Sequence, residues 1–386
     1  MNSALDVLKN NHEEMKSWFY TLHQKPQVAF EEIDTAQFIA GKLKEWGYEV
    51  HEKVGQTGVV AIMTLGDSDK AIGLRADMDA LPIQEINDLH YKSHINGKSH
   101  LCGHDGHSIM LLAAAKYLAE TKKFNGKLCL IFQPAEETMR GGTSMIDDGL
   151  FERWPVDAVY GMHNIPGLEK GKFYFRDGAT MSAVDLWEIE LTGKGGHGSL
   201  PERTIDPLVA GASLVMALQS IVSRNVSPWD NAVLTIGAFI AGETNNVIPQ
   251  SAILRLSMRN MQPKTRELVL QRIRDITKGQ AESYGCTYDI RETTAGAVLV
   301  NSKENTAYAA EIARKTFGKE NVIYPVHPYM ASEDFAFMLQ KKPGTYCMLG
   351  NGETEMVHHP EYVFDLDILP IGAAYWVALV EDYLKK

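Results

Sequence analysis

The chain has 386 residues, 45% of them apolar and 23% charged, with a formal charge of -11. That length exceeds what one hydrophobic core ordinarily serves and predicts two domains, while the ordinary globular usage excludes a disordered chain. The negative charge opposes any polyanion, so nucleic acid is excluded as a partner.

The opening run MNSALDVLKNNHEEMKSWF mixes charges into an amphipathic helical pattern, with no apolar signal core and no small-residue cleavage site. It predicts a helix rather than a leader. No run of about 20 apolar residues follows, and the expectation is a cytoplasmic protein without a membrane span. Strand and helix signals then alternate: VVAIMTL, AIGLRAD, a helix over about 107–120, KLCLIFQ, a short helix near Met145, and AVYGMHN. Short apolar strands separated by helices predict an α/β domain on a mainly parallel sheet with both faces covered.

From about Ser182 the pattern changes to long alternating strands, VDLWEIELTGK, NAVLTIGAFIAG and SAILRLSMRN, with helices over 206–223 and 263–284. The order β, α, β, β, α, β predicts an inserted α+β domain of ferredoxin-like type, one antiparallel sheet with both helices on one side. Beyond about 295 come TAYAAEIARKTFG, ASEDFAFMLQ and ILPIGAAYWVALVEDYLKK, helical in period, and the strand signal GTYCMLGN. The expected division is therefore 1–181 with 295–386 as one domain and 182–294 as the insertion.

Four cysteines, at 102, 129, 286 and 347, are too few and too scattered for a disulfide framework. Cys129 and Cys347 sit in apolar strand-like runs and are expected to be inert core residues. Cys102 lies in SHLCGHDGHS, two positions before His104 and beside glycines that allow a tight turn. Residues so spaced can converge on one ion, although a Gly-rich helix entry with solvated histidines has the same local sequence.

Three further polar clusters follow apolar runs: Asp77 and Asp79 after AIGLR, Glu136 and Glu137 after CLIFQPA, and His163 after AVYGM. In open α/β sheets the ligand crevice lies beyond the carboxyl ends of the strands, so these loops are expected to meet at one edge. Each alone reads as a cap, a solvated pair or a core histidine. Together they offer thiolate, imidazole and carboxylate in greater number than one tetrahedral ion takes, which predicts two divalent ions sharing a bridging group. With one carboxylate of the Glu pair on metal, its neighbour is left as a proton acceptor.

Taken with GKGGHGS, NVIP and VHHPEYVF, the runs RADMDALP, CGHDGH, QPAEE and GMHN resemble the M20 peptidase family in its amidohydrolase branch, over nearly the whole chain from LHQKPQVAFEE onward. The resemblance implies a metal-dependent hydrolase cleaving small N-acyl amino acids to a carboxylic acid and a free amino acid. It implies two divalent ions, Zn, Mn, Co or Ni, on Cys102, His104, Glu137, His163 and His358, with Cys102 bridging and Glu136 the general base. The family writes His followed by Asn or Ser where this chain has His358 and His359; the EYVF that follows favours His358 as the ligand. Asp77 and Asp79 resemble the pair beside the site, with roles that the sequence does not separate. His107 reads as a cap or a buried hydrogen-bonded residue.

In the inserted domain, the resemblance implies that His197 reaches the site across a homodimer, or a dimer-based oligomer, to donate to the carbonyl oxygen. It implies further that Asn246 and Arg259 grip the substrate carboxylate, a task suited to a guanidinium fork; a surface salt bridge is the plainer reading of Arg259. Domain closure would then complete the site. The competing readings are an aminoacylase, an acetyl-diaminopimelate deacetylase or a dipeptidase sharing the same residues, and from another class a binder of acyl amino acids that turns nothing over.

Overall fold

The computed structural model describes residues 3–385. The chain divides into two compact units: one runs up to Gly178 and resumes over Val300–His327 and from Asp334 onward, and the other comprises Ala179–Leu299 with Pro328–Glu333.

In the first unit the strands are β1 (Glu49–Val54), β2 (Gly58–Leu65), β3 (Ala71–Asp77), β4 (Gly126–Gln133), β5 (Ala158–Pro166), β6 (Phe173–Tyr174), β15 (Val322–Ile323) and β16 (Gly344–Gly352). They form one sheet in the order β1-β2-β4-β3-β5-β16-β6-β15. Its centre, β4-β3-β5-β16, is parallel, while β1, β2 and β6 add antiparallel pairings. β3 is buried along its whole length, as a strand covered on both faces must be. The helices are α1 (Ala4–Asn10), α2 (His12–His23), α3 (Ile33–Glu45), α4 (His104–Thr121), α5 (Gly141–Asp147), α6 (Leu150–Arg153), α9 (Lys303–Phe317), α10 (Phe335–Lys341) and α11 (Leu369–Tyr383). The first and largest core lies where α3, α4, α9 and α11 meet Ile72, Leu74, Leu128 and Leu130. α4 is buried almost all round, so its sequence lacks a polar face and reads as a core helix. Cys347 lies in this core and Cys129 is buried on β4 between Leu128 and Leu130, and burial pushes both thiols up to about 12.

The second unit carries β8 (Ala183–Thr192), β9 (Gly196–His197), β10 (Ala232–Ile240), β11 (Val247–Ile248), β12 (Ser251–Asn260) and β13 (Thr287–Ala295), with α7 (Pro207–Arg224) and α8 (Pro263–Tyr284); β7 (Gly178–Met181) and β14 (Leu299–Asn301) stand where the chain enters and leaves. β10-β12-β8-β13 is antiparallel throughout. Alternate residues Trp187, Ile189 and Leu191 of β8 and Leu254 and Leu256 of β12 point into a core shared with Leu214 and Leu218 of α7 and Ile273 of α8. That alternation, period two in the strands against the helical period of α7 and α8, is the physical content of the ferredoxin-like pattern. α7 is long and apolar enough to cross a bilayer by length and composition; only 33% of it is buried.

Three details differ from expectation. The helix predicted over 107–120 begins already at His104, after Gly103 at φ 91. His163 lies within β5, paired with Met348, rather than beyond the strand end. Residues 328–333 group with the second unit because Tyr329 N donates to Thr180 O and Ser182 N to Ala331 O, each at 2.9 Å.

Candidate metal centre

The parallel register sets Asp77 at the end of β3 opposite Gln133 at the end of β4, and each strand releases its polar residues at that edge. After β4 the chain turns through Ala135 at φ 52 and Met139 at φ 58, left-handed positions either side of the short turn Glu136–Thr138. Such positions are costly for residues with a Cβ and persist only when their surroundings enforce them. Glu32 supplies part of that force: buried, it accepts from Ala135 N at 2.9 Å and from the Thr57 hydroxyl at 2.7 Å. Gly141 permits the turn to close, since a Cβ there would lie 1.6 Å from the Pro134 carbonyl oxygen.

Cys102 and His104 flank Gly103, where a Cβ would lie only 2.3 Å from Asn164 Oδ1. His358 arrives from the far end of the chain, its backbone N–H donating to Leu101 O at 2.7 Å, and it too is left-handed at φ 71. Its Nε2 stands 3.3 Å from Glu137 Oε2. His359 instead accepts from Glu361 N on Nδ1 and joins no ligand group.

Two groups of potential ligand atoms, each within 4.8 Å, share the Cys102 sulfur: Cys102, His104 and His163 form one, and Cys102, Glu137 and His358 the other. Glu136 is buried beside them, with Oε2 4.0 Å from His104 Nε2. The ring orientations suit cations. His104 Nδ1 donates to Asp79, and His163 Nδ1 donates to Asn164 O at 2.5 Å, so each Nε2 presents its lone pair inward. His104 Nε2 and Glu137 Oε1 are both buried and make no hydrogen bond. Orphaned buried polar atoms are uncommon in folded proteins and call for a ligand. Burial first, then the Glu137 charge, pushes the Cys102 thiol well above its ordinary range, which a neighbouring dication would reverse. Burial and the adjacent His107 hold His163 well below the usual histidine value, in the neutral form a metal takes. The residues present therefore fit a pair of divalent cations.

The two aspartates occupy different places. Asp79 contacts His104 and accepts from Glu137 N through Oδ2 at 3.0 Å. Asp77 binds Arg75 Nη1 at 2.8 Å and His107 Nδ1 at 2.6 Å, and His107 is a buried, hydrogen-bonded residue whose Nε2 accepts from Asn164 N. Sequence reasoning passed over Arg75, Asn164 and Tyr362. Arg75 is buried and also donates to Gln133 Oε1 at 2.9 Å and Asp334 Oδ1 at 3.2 Å; an arginine inside the apolar run AIGLRAD was itself a signal, since a buried charge demands partners. Asn164 donates to the Tyr362 hydroxyl, joining the GMHN and EYVF runs.

In the second unit β9 pairs with β11, and Gly198 N donates to Asn246 O at 2.8 Å, which brings His197 and Asn246 side by side, both exposed. His197 Nδ1 accepts from Ser199 N, leaving Nε2–H as a donor. Arg259 lies in β12, opposite Val184 of β8.

Residues 73–382 match peptidase family M20/M25/M40. The chain is 46% identical over 366 residues to a hippurate hydrolase from Campylobacter jejuni, covering 95% of each chain. It is 38% identical over 357 residues to an N-acetyl-L-cysteine deacetylase from Bacillus subtilis, covering 92% of this chain and 84% of that one. A solved dinuclear metal-binding peptidase of the M20 family from Bacillus subtilis superposes with a TM-score of 0.83 at 30% identity, covering 97% of this chain and 99% of the other.

Proposed function

The chain belongs to peptidase family M20/M25/M40, and on that premise we propose that it is a metal-dependent amidohydrolase that cleaves small N-acyl amino acids to a carboxylic acid and a free amino acid. The observation that carries this reading is the Cys102 sulfur common to two ligand groups, with Glu136 buried alongside. Cys102, His104, Glu137, His163 and His358 would hold two divalent cations, and their mixed donors suit Zn, Mn, Co or Ni. Bound there, the cations would polarise the amide carbonyl and lower the pKa of water towards about 7.

The remaining work falls to the chain's own side chains. Glu136 accepts the proton from the attacking water and returns it to the nitrogen of the departing amine. His197, with Nε2–H as its free donor, is assigned to the oxygen on which charge develops. Arg259 and Asn246 are assigned to the substrate carboxylate, the guanidinium by its fork and the amide by its NH2 group.

Benzoylglycine is the first substrate to test, because hippurate hydrolase is the relative at 46% identity; the N-acetylcysteine deacetylase at 38% makes an acetyl amino acid the second. The apolar surface of the second unit favours a homodimer. β10 is an edge strand with Val233, Phe239 and Ile240 exposed, and α7 exposes Leu208, Val209 and Met216, a combination that solitary proteins avoid. The test is release of free amino acid from a panel of N-acyl amino acids, using protein stripped by chelator and refilled with each ion in turn. Metal-dependent turnover led by benzoylglycine is the expected result; no turnover with any ion or acyl group would overturn the reading.

A further inference from the structure

Arg259 is half-buried, and among the described residues it has no carboxylate partner: its hydrogen bond runs from Nη1 to the Ser332 hydroxyl at 2.5 Å. Ser332 belongs to the short segment 328–333, which leaves the rest of the C-terminal half to join the second unit. Hydrogen bonds to Thr180 and Ser182 fix that segment. Tyr329 N donates to Thr180 O, Ser182 N to Ala331 O, and the Ser182 hydroxyl to Met330 O, each at 2.9 Å. Thr180 and Ser182 lead directly into β8, the strand in register with Arg259. These hydrogen bonds hold the segment whose Ser332 oxygen meets one arm of the guanidinium.

A guanidinium that spends one Nη1 proton on a hydroxyl keeps its Nε and Nη2 edge for a planar acceptor. We propose that Ser332 is a positioning and selectivity residue for substrate carboxylate: by holding Nη1 it locks the rotation of the Arg259 fork, so that the Nε and Nη2 edge is presented to the anion. The proposal rests on the reading of Arg259 as the partner of that carboxylate. It extends recognition to a residue in the MASEDF run, distant in sequence from both Asn246 and Arg259.

The test is a double-mutant cycle on the metal-loaded enzyme with Ser332→Ala, Ser332→Thr and Arg259→Gln, assayed on an N-acyl amino acid and on its carboxamide analogue, which lacks the anion. Ser332→Ala should raise KM for the acid by about tenfold, the size of one charge-assisted hydrogen bond, with kcat unchanged. Ser332→Thr keeps the hydroxyl and should restore most of the loss. Neither change should alter KM for the carboxamide, and adding Ser332→Ala to Arg259→Gln should cost nothing further. If Arg259→Gln raises KM for the acid while Ser332→Ala does not, the role of Ser332 is overturned and that of Arg259 stands. If Arg259→Gln leaves KM unchanged, the Arg259 reading falls and the Ser332 proposal with it.

Discussion

His104 donates its Nδ1 proton to Asp79, lying 2.9 Å from the carbonyl oxygen and 3.1 Å from Oδ1. Asp77 instead lies 3.9 Å from Nε2 on the opposite side of the ring. The contact with Asp79 fixes both the tautomer and the tilt of His104. Asp79→Ala keeps the carbonyl acceptor but removes the Oδ1 contact and the Oδ2 acceptor of Glu137 N, and should weaken metal retention by about tenfold, the lower end of the cost of losing such a support. Competition with a chelator of known affinity measures this, and unchanged affinity would show that Asp79 does not orient the ligand.

Glu136→Gln keeps the volume of the side chain and removes its capacity to accept a proton. Turnover should fall by about 10²–10⁴-fold with metal content and melting temperature unaltered. A variant that retained full turnover would sink the assignment of the base, whatever it did to KM.

His358 and His359 should behave differently despite their adjacency. His358 faces Glu137 at 3.3 Å, whereas His359 accepts a local backbone proton from Glu361. His358→Ala should lose one ion of the pair and with it activity, and His359→Ala should keep both. Metal analysis after gel filtration decides between them; the opposite pattern would move the ligand by one position.

Away from the metal centre, His23 is buried between Asp105 Oδ2 at 2.7 Å and Glu85 Oε1 at 3.3 Å. Burial alone would lower its pKa, but hydrogen bonds and charge from Asp105 and Glu85 outweigh burial and raise it from 6.5 to about 9. A raised folded-state pKa means that the stabilisation is complete below the unfolded value and is lost as pH climbs through the folded one. The stability gap between the natural chain and His23→Gln should thus narrow between pH 6.5 and 10, by on the order of 3 kcal/mol. Denaturant unfolding across that range measures it, and a gap independent of pH would contradict a charged His23.

Much of this was legible in the sequence because the information is local. Apolar period two marked β8, β10 and β12, helical period marked α7 and α8, and the motif runs named Cys102, His104, Glu136, Glu137 and His163 as one polar group. Where the signal was not local, reading along the chain stopped. Only the fold could separate Asp77 from Asp79, since two residues apart on the same strand end they face different partners, Arg75 with His107 in one case and His104 in the other. The EYVF run already favoured His358 over His359, but the backbone bond to Leu101 that carries His358 to Glu137 joins segments far apart in the chain. The segment holding Ser332 joins the second unit through hydrogen bonds to residues far earlier in the chain, and no periodicity encodes a pairing of that kind. Sequence determined which chemical groups are available and on which elements they ride; tertiary structure decided which of their atoms meet, because contact between distant segments depends on register and burial that no single segment carries.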